Sequence, residues 1–327
     1  MNPEASPAIK LSIVLINYNK PALTLACVES IIGSGFDRFN VFIIDNGSGP
    51  GDQDFFSEKS VSMGIRFHPY KPDITSIEFN RDIYWYDSPD NLGYAGGMNL
   101  GFRFAKTRKP DFISFLNNDT LLPGNFFDDM FREIKVVSMN EDFGMAGCLI
   151  RNMDDRSIWF AGGELDLKRC MGRHLNAPII NHQIHETHFL TGCFNLFKPD
   201  TYEALGEMDG DFFLYFEDFD LCYRMLNKGL KLYITPNVEL THQAGSSTGG
   251  DESLIGVYYP TRNRLWLMRK HFRGYRLWRF YLFFFPTRMI KALKWILSGK
   301  ISLVLVLLKG LKDGLFSKKN KGLRLDQ

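Results

Sequence analysis

Residues 11–19 read LSIVLINYN, and this stretch decides the fold. A short apolar run rich in β-branched side chains stops at Asn17-Tyr18-Asn19. Such a run, without polar alternation, predicts a strand buried on both faces that feeds a loop at its carboxyl end. Outward from it the arrangement repeats. Residues 41–44 (VFII) run into Asp45-Asn46-Gly47-Ser48-Gly49, residues 83–86 precede NLGYAGGMNLG at 91–101, and residues 112–116 end at Asn117-Asn118-Asp119. Helical patterns lie between them: Pro21 opens one that runs to Ile32, with Gly33 and Gly35 closing it, and another covers residues 98–106. Residues 68–82 are less regular and predict a surface excursion. Strands that alternate with helices and end in polar or Gly-rich loops predict an open α/β sheet, in which ligands bind at the carboxyl ends of the strands.

Past Asp119 the pattern loosens. Short strands are predicted near residues 144–150, 157–160 and 190–197, a helix over 219–228, and a pair of strands at 232–235 and 238–241. Mixed elements of this kind predict a second subregion that shares the sheet. The 327 residues, 45% hydrophobic and 23% charged, suffice for one large or two fused domains with a sizeable core, which excludes disorder for the bulk of the chain. Cys27, Cys148, Cys170, Cys193 and Cys222 are scattered, odd in number and free of C-x-x-C spacing. That argues against a disulfide framework or zinc module and for a reducing compartment. No signal-like apolar run precedes the first strand, so the cytoplasm is the expected location.

The net charge of +2 conceals a segregation. From Arg262 onward, 17 Lys and Arg stand against two acids, Asp313 and Asp326, whereas the rest of the chain carries 22 bases and 35 acids. An acidic body with a basic tail points to a partner surface.

The series Asn17-Tyr18-Asn19, Asp45-Asn46-Gly47-Ser48, NLGYAGGMNLG and LNNDT (116–120) strongly resembles the nucleotide-sugar-binding half of GT-A fold, family 2 glycosyltransferases, and is most similar to the rhamnosyltransferase-like members. TGC at 191–193, FFLYFEDFDLCYR at 212–224 and HQAGSS at 242–247 continue the likeness, which spans about residues 10 to 271 with the motifs in the expected order. It implies a Rossmann-like α/β GT-A fold with a mixed central sheet and a C-terminal helical basic extension. Residues 1–120 would form the nucleotide-sugar-binding half, 121–260 the acceptor and catalytic half, and 261–327 a basic amphipathic tail.

By that resemblance Asp45 reads the nucleobase; taken alone, DNGS is a tight Asx turn. Asn17, Asn19, Asn91, Gly93, Gly96, Gly97, Asn99, Asn118, Gly192 and Cys193 complete the implied nucleotide and donor-sugar pocket. Glycines before a helix N-terminus would let backbone N–H groups approach a diphosphate, where the helix dipole favours an anion; an ordinary turn is the alternative. Asn117-Asn118-Asp119 falls where the family has D-x-D, whose carboxylates hold a divalent cation on the diphosphate. Asp119 is the implied ligand, and Asn117 in the first position makes another ligand more necessary. His242 matches the family's late histidine of the metal shell, although a lone His at a strand end is otherwise a surface residue. A carboxylate–imidazole pair suits Mn²⁺ and leaves Mg²⁺ open.

Transfer with inversion needs a base opposite the leaving group. The family uses the Asp of its Glu-Asp pair, which is Asp218 here, with Glu217 beside it to orient the acceptor or tune the base. Acids at a helix start would otherwise complement the dipole, and Asp220 adds a third. Cys193 has no His in a dyad pattern and is read as a pocket wall; His185 and His188 lack the glutamate of a zinc protease helix.

In the tail, bases interleave with aromatic and aliphatic residues. Arg269, Arg273 and Arg276 are predicted to share a helical face, and Arg288, Lys291 and Lys294 to sit opposite Met289, Leu293, Ile296 and Leu297. The longest charge-free runs there, 280–287 and 301–308, fall well short of the roughly 20 residues of a membrane span. Such helices lie in the interface of an anionic membrane, or else cap the body or meet a second subunit. No base-reading module is evident, so nucleic acid is not an expected partner.

The resemblance thus implies an inverting enzyme, and the basic tail with the cytoplasmic expectation predicts a peripheral place at the inner face of the cell membrane. It would move a sugar, rhamnose from dTDP-rhamnose ahead of UDP-sugars, onto a hydroxyl of a lipid-linked or polysaccharide acceptor. Two alternatives share the fold. An inactive nucleotide-sugar-binding scaffold draws support from Asn117 and is opposed by the retention of Glu217, Asp218 and His242. A sugar nucleotidyltransferase would have little need of the basic tail.

Overall fold

The structure is a computed structural model that describes residues 9–71, 78–177, 183–243 and 252–317. Its first half lays down β1 (Leu11–Asn17), α1 (Pro21–Gly33), β2 (Phe39–Asp45), α2 (Asp52–Ser62), β3 (Phe67–Pro69), β4 (Asp82–Asp87), α3 (Gly93–Lys106) and β5 (Phe112–Leu116). Then come β6 (Thr120–Leu121), α4 (Phe126–Ile134), β7 (Phe143–Asn152), β8 (Ile158–Phe160), β9 (Gly163–Asp166), β10 (Met171–His174) and β11 (His185–Thr187). The body closes with β12 (Phe194–Phe197), α5 (Pro199–Leu205), α6 (Glu217–Asn227) and β13 (Lys231–His242). Three helices follow: α7 (Leu254–His271), α8 (Gly274–Leu297) and α9 (Ile301–Phe316).

One mixed sheet runs through both halves in the order β11-β13-β7-β12-β5-β1-β2-β4-β3, with β6 on β13 and β8 on β7, while β9 and β10 form a separate hairpin. β1 pairs in parallel with β2 and β5, and β2 with β4, so Asn17, Asp45 and Asp87 end their strands in register. β12 runs antiparallel to β5 and stitches the halves together, Phe194 facing Leu116. Rings brace this seam: Phe102 and Tyr202 lie 4.7 Å apart and Phe115 and Phe197 4.8 Å apart. β1 and β2 are almost wholly buried because α1 and α3 cover them, as their unbroken apolar runs require.

α3 starts at Gly93, five residues before the predicted start, because its glycines serve inside the helix. A Cβ on Gly101 would collide with Val14 Cγ1, and one on Gly97 would stand 2.9 Å from Ile16 Cδ1. These two positions let α3 lie close on β1. Residues 232–235 and 238–241 are not two strands but parts of β13, whose pairing with β7 slips between Thr235 and Glu239. Pro236 sits in that slip; it has no N–H to give a ladder, and a bulge accommodates it. The strand predicted at 190–197 is confined to Phe194–Phe197, since Thr191–Cys193 turn into the site. α4 was not predicted, although FFDDMFREI buries Phe126, Phe127, Met130, Phe131 and Ile134 on one face.

The chain turns at Phe272-Arg273 between α7 and α8. Arg269 therefore belongs to α7 and Arg276 to α8, with Arg273 at the joint, and the three do not share a helical face. α7 packs along α9, where Gly310 and Gly314 present backbone to Tyr258, Thr261, Arg262 and Leu265. Tyr258 OH donates to Asp313 Oδ2 at 2.7 Å, and Arg269 Nη1 to Gly314 O at 2.7 Å. The boundary expected at residue 260 thus falls inside a helix. All five cysteines are buried and free.

Candidate active site

Strand ends gather the first group of site residues. Asn17 is fully buried, and its Nδ2 lies 2.6 Å from Asp45 Oδ1, 3.3 Å from Ser48 Oγ and 2.8 Å from Asp52 Oδ2. Its Oδ1 accepts from Thr24 Oγ1 at 2.7 Å, and Thr24 in turn accepts from Asn118 Nδ2 at 2.8 Å. Asn17 and Asn118 therefore belong to one relay that orients Asp45. Ser48 donates to both carboxylate oxygens of Asp45, through Oγ at 2.5 Å and through its backbone N–H at 3.2 Å. Burial raises the Asp45 pKa, and the hydrogen bonds from Ser48 and Asn17 oppose that rise. Asn19 is exposed and pins the loop, accepting from Gly49 N at 2.9 Å.

The glycine-rich segment departs from the diphosphate cradle expected of it. The leading amides at the start of α3 are taken by protein acceptors: Leu92 N by Asn46 Oδ1, Gly93 N by Asn91 Oδ1 and Tyr94 N by Phe213 O, at 2.9, 2.9 and 2.6 Å. Asn46 Nδ2 also reaches Asn91 Oδ1 and Gly93 O. Gly93 adopts φ +71°, and a Cβ there would strike Phe213 O. Gly96 lies against Leu92 and Gly97 against Ile16, so these glycines serve close packing. Asn99 is likewise committed within the protein: Nδ2 donates to Met208 O at 2.8 Å, and Oδ1 accepts from Tyr202 OH at 2.6 Å. Sequence reasoning missed Asn46 as the bridge between the two loops, because its partners lie some 45 residues on.

At the end of β5 two buried side chains meet. His242 Nε2 lies 3.2 Å from Asp119 Oδ1, with the Trp159 ring 4.8 Å from the imidazole and no hydrogen-bond partner at His242 Nδ1 among the described residues. Two ligands in neighbouring positions on an octahedral ion, with bonds of about 2.1 Å, stand roughly 3 Å apart. The pair thus fits two places of a divalent cation's shell, to be completed by oxygens from outside the protein. Among the described residues no third His, Cys, Asp or Glu joins them. Of HQAGSS, residues 244–247 lie outside the described residues, as do residues 72–77 of the predicted surface excursion.

The loop at 191–193 joins this pair to the acids. Cys193 O accepts from Asn117 N at 2.9 Å, Gly192 N donates to Asp218 Oδ2 at 3.3 Å, and Tyr94 OH donates to Gly192 O at 2.5 Å. Burial, then the nearby Asp119 charge, pushes the Cys193 thiol well up. A buried thiol of that kind is a wall and not a nucleophile.

Three neighbouring acids sit in three different environments. Burial and then the Asp218 charge raise the Glu217 pKa; its Oε2 has no hydrogen-bond partner among the described residues. Burial raises Asp218 too, but backbone N–H groups of Phe219 (2.7 Å) and Gly192 hold its carboxylate. Asp220 is fully buried. Burial alone would raise it, yet a hydrogen bond to His271 with the charges of Arg224 and Lys270 hold it down at about 2. It clamps α6 to α7 with contacts of 2.6 to 2.9 Å and has nothing left for chemistry.

The approach to these acids is strained. Phe213, Tyr215 and Phe216 have φ of +63°, +67° and +74°, a left-handed conformation that costs bulky residues about 1–3 kcal/mol each. Asn263 of α7 holds them: its Nδ2 lies 2.8–2.9 Å from the carbonyl oxygens of Phe212, Leu214 and Tyr215. Arg262 reaches Asp211 O, and Tyr259 stacks on Phe213 at 5.2 Å. The tail's first helix is therefore part of the site, which its basic composition did not suggest.

A family model described as "Glycosyl transferase family 2" matches residues 12–206, more than half of the chain. The low-salt glycan biosynthesis hexosyltransferase Agl10 of Haloferax volcanii is 24% identical over 188 residues, covering 56% of this chain and 59% of Agl10. The dTDP-rhamnosyl transferase RfbF of Shigella flexneri is 22% identical over 199 residues, covering 55% of this chain and 61% of RfbF. The chain thus spans about three fifths of the length of the curated relatives it matches. Among solved structures, the mannosyltransferase PcManGT of Pyrobaculum calidifontis, in complex with GDP-Man and Mn²⁺, superposes with a TM-score of 0.58 at 14% identity. That match covers 96% of this chain and 89% of PcManGT, and it shows the shared GT-A fold.

Proposed function

The chain belongs to glycosyl transferase family 2, and from that premise we propose that it moves a sugar with inversion from a nucleotide diphosphate donor to an acceptor hydroxyl, with Asp218 as the base. The observation that carries this is the contrast among Glu217, Asp218 and Asp220. Asp220 is locked in ion pairs, Glu217 has one buried oxygen with no hydrogen-bond partner among the described residues, and Asp218 alone is half-buried and steadied by two backbone N–H groups. Neighbouring acids whose environments push their pKa values apart divide the acid and base roles between them. Burial beside the Asp218 charge favours the proton on Glu217, whereas two backbone N–H groups favour the carboxylate form of Asp218.

The acceptor oxygen bonds to the anomeric carbon as the bond from that carbon to the diphosphate breaks. Asp218 takes the hydroxyl proton and the nucleoside diphosphate leaves. Asp119 and His242 would hold a divalent cation, Mn²⁺ or Mg²⁺, which when bound offsets the charge growing on the diphosphate. Asp45, held by Asn17 and Ser48, is the group for the nucleobase. The Asn91–Gly97 segment shapes the pocket by closing the start of α3. Gly192 and Cys193 form the wall between base and metal pair.

We take a dTDP-sugar, rhamnose first, as the donor and UDP-sugars as second, a preference supported by the likeness to RfbF. For the acceptor we take a glycan, free or lipid-linked, a reading supported by the likeness to the glycan-biosynthesis hexosyltransferase Agl10. The scaffold alternative rests on Asn117 alone, and a nucleotidyltransferase would leave the basic tail without a purpose. The deciding experiment incubates the chain with dTDP-rhamnose or a UDP-sugar, a lipid-linked acceptor and Mn²⁺. Release of nucleoside diphosphate that Asp218→Asn abolishes, with dTDP binding retained, supports the proposal. Release of inorganic diphosphate from a nucleoside triphosphate would place the chain among nucleotidyltransferases, and binding without turnover in the native chain would make it a scaffold.

A further inference from the structure

α8 carries apolar side chains on both of its sides. Phe280, Phe284 and Trp295 are buried inward, while Trp278, Leu282, Met289, Leu293 and Ile296 recur at helical spacing on the outer side. That outer stripe is open: Trp278 is 67% exposed, Leu282 72%, and Leu297 at the end 88%. A helix facing water places polar residues there. The adjoining α9 repeats the arrangement, with Leu303 and Leu307 buried and Ile301, Leu305, Leu308 and Phe316 exposed. Contiguous apolar exposure on this scale marks an interaction surface.

The bases divide between two sites. Arg264 and Arg288 turn inward onto the Phe284 ring, 5.0 and 5.2 Å from its centroid, and Lys291 lies over Trp295 at 4.9 Å. Burial lowers the Arg264 pKa to about 10, which leaves it charged. Arg273, Arg276, Arg279, Lys294, Lys309 and Lys312 are exposed beside the apolar stripes. Between Arg273 and Phe316 the one acid is Asp313, and Tyr258 OH occupies it.

We propose that α8, with α9 beside it, lies in the plane of an anionic lipid bilayer, its outer stripe immersed among acyl chains. Charge complementarity selects this occupant. A second copy on the same face would bring bases against bases, whereas anionic headgroups pair with them. Among the described residues no helix is long and apolar enough to cross a membrane, and immersion in the interface takes only the outer face of a helix. Exposed Tyr275 at the start of α8, next to the stripe's first member Trp278, is the side chain that settles at headgroup level. The proposal concerns lipid binding and does not depend on the sugar chemistry.

The test is sedimentation of the full chain with vesicles of phosphatidylcholine alone, or with about a third phosphatidylglycerol, in low and high salt. Binding is expected to anionic vesicles and to persist in part at high salt, because apolar immersion is not screened. Leu282→Glu with Leu293→Glu should lower the bound fraction at low salt about tenfold or more, with elution volume and Tm unchanged, since both side chains are exposed. The Trp278 fluorescence, isolated by difference against Trp278→Phe, should shift to the blue on vesicles. Binding that high salt abolishes and the double Glu variant leaves intact would reduce the surface to a charge contact and overturn immersion. A dimer dispersed by the double variant, in a chain that ignores vesicles, would assign the face to a second copy.

Discussion

His242 Nε2 stands 3.2 Å from Asp119 Oδ1, and the sheet itself sets that distance. His242 pairs with Thr120 across the β6–β13 ladder, and Gln243 N donates to Asp119 O at 3.0 Å. Two ligands fixed by backbone need little rearrangement to accept a cation. Replacing either with Ala is expected to weaken Mn²⁺-dependent dTDP binding by about a hundredfold, with metal-independent binding unchanged. Calorimetric titration with and without Mn²⁺ reads this directly. Unaltered binding in both variants would remove the pair from the donor site.

Turnover should follow the ionisation of Asp218. Burial raises its pKa, so the acid limb of the kcat profile is expected above the range of an ordinary aspartate, with activity lost as pH falls through it. Asp218→Asn should cost about 10²–10⁴ in kcat on the plateau above the acid limb, and progressively less as pH falls below it. Glu217→Gln mimics the protonated partner and should leave the acid limb where it is. A limb that moves with Glu217→Gln would show the assignment of base to be reversed.

Glu217 also ties stability to pH. Its raised pKa means that the folded chain binds this proton more tightly than the unfolded chain does. Stability from this group is therefore complete below the ordinary glutamate range and lost as pH rises through the folded value. Glu217→Gln should raise Tm at neutral pH and above, and give no gain at low pH. Thermal melts of both proteins across pH test this; a gain confined to acid would contradict it.

Much of the candidate site was legible because its members end strands, follow them or open helices within motifs, as Asp45 and His242, Asp119, and Asp218 do. What was hidden depends on partners distant in sequence. The start of α3 is closed by Asn46 and Phe213, and Asp220 is engaged by Lys270 and His271, about 50 residues on. Periodicity gave the tail its two-sided helices, but not which side faces out, since the aromatic residues that receive Arg264 and Arg288 are known only from packing.

Asn263 is the clearest case of a positioning residue outside every motif. Its one amide group serves three carbonyls of a strained loop. Asn263→Ala should destabilise the chain by about 1–3 kcal/mol through unpaired carbonyls, and lower kcat while nucleotide affinity holds. Asn263→Asp keeps the shape but puts an acceptor against three acceptors, so it should lose more turnover than Ala. Equal loss of affinity and kcat in both variants would point to general unfolding.

At the other end of the site, Asn17 steadies Asp45, the proposed group for the nucleobase. It is wholly buried, so it touches no ligand, yet its Nδ2 contacts Asp45, Ser48 and Asp52. Asn17→Ala removes the donor that steadies Asp45 and should raise the Kd for dTDP about tenfold, with kcat at saturating donor retained. Asn17→Asp is more severe, because a third carboxylate beside Asp45 and Asp52 drives one of them to take a proton. Its binding defect should therefore shrink as pH falls, while that of Asn17→Ala stays constant. If neither variant weakens dTDP binding, Asp45 works without help from Asn17, and the relay from Asn118 through Thr24 serves the fold alone.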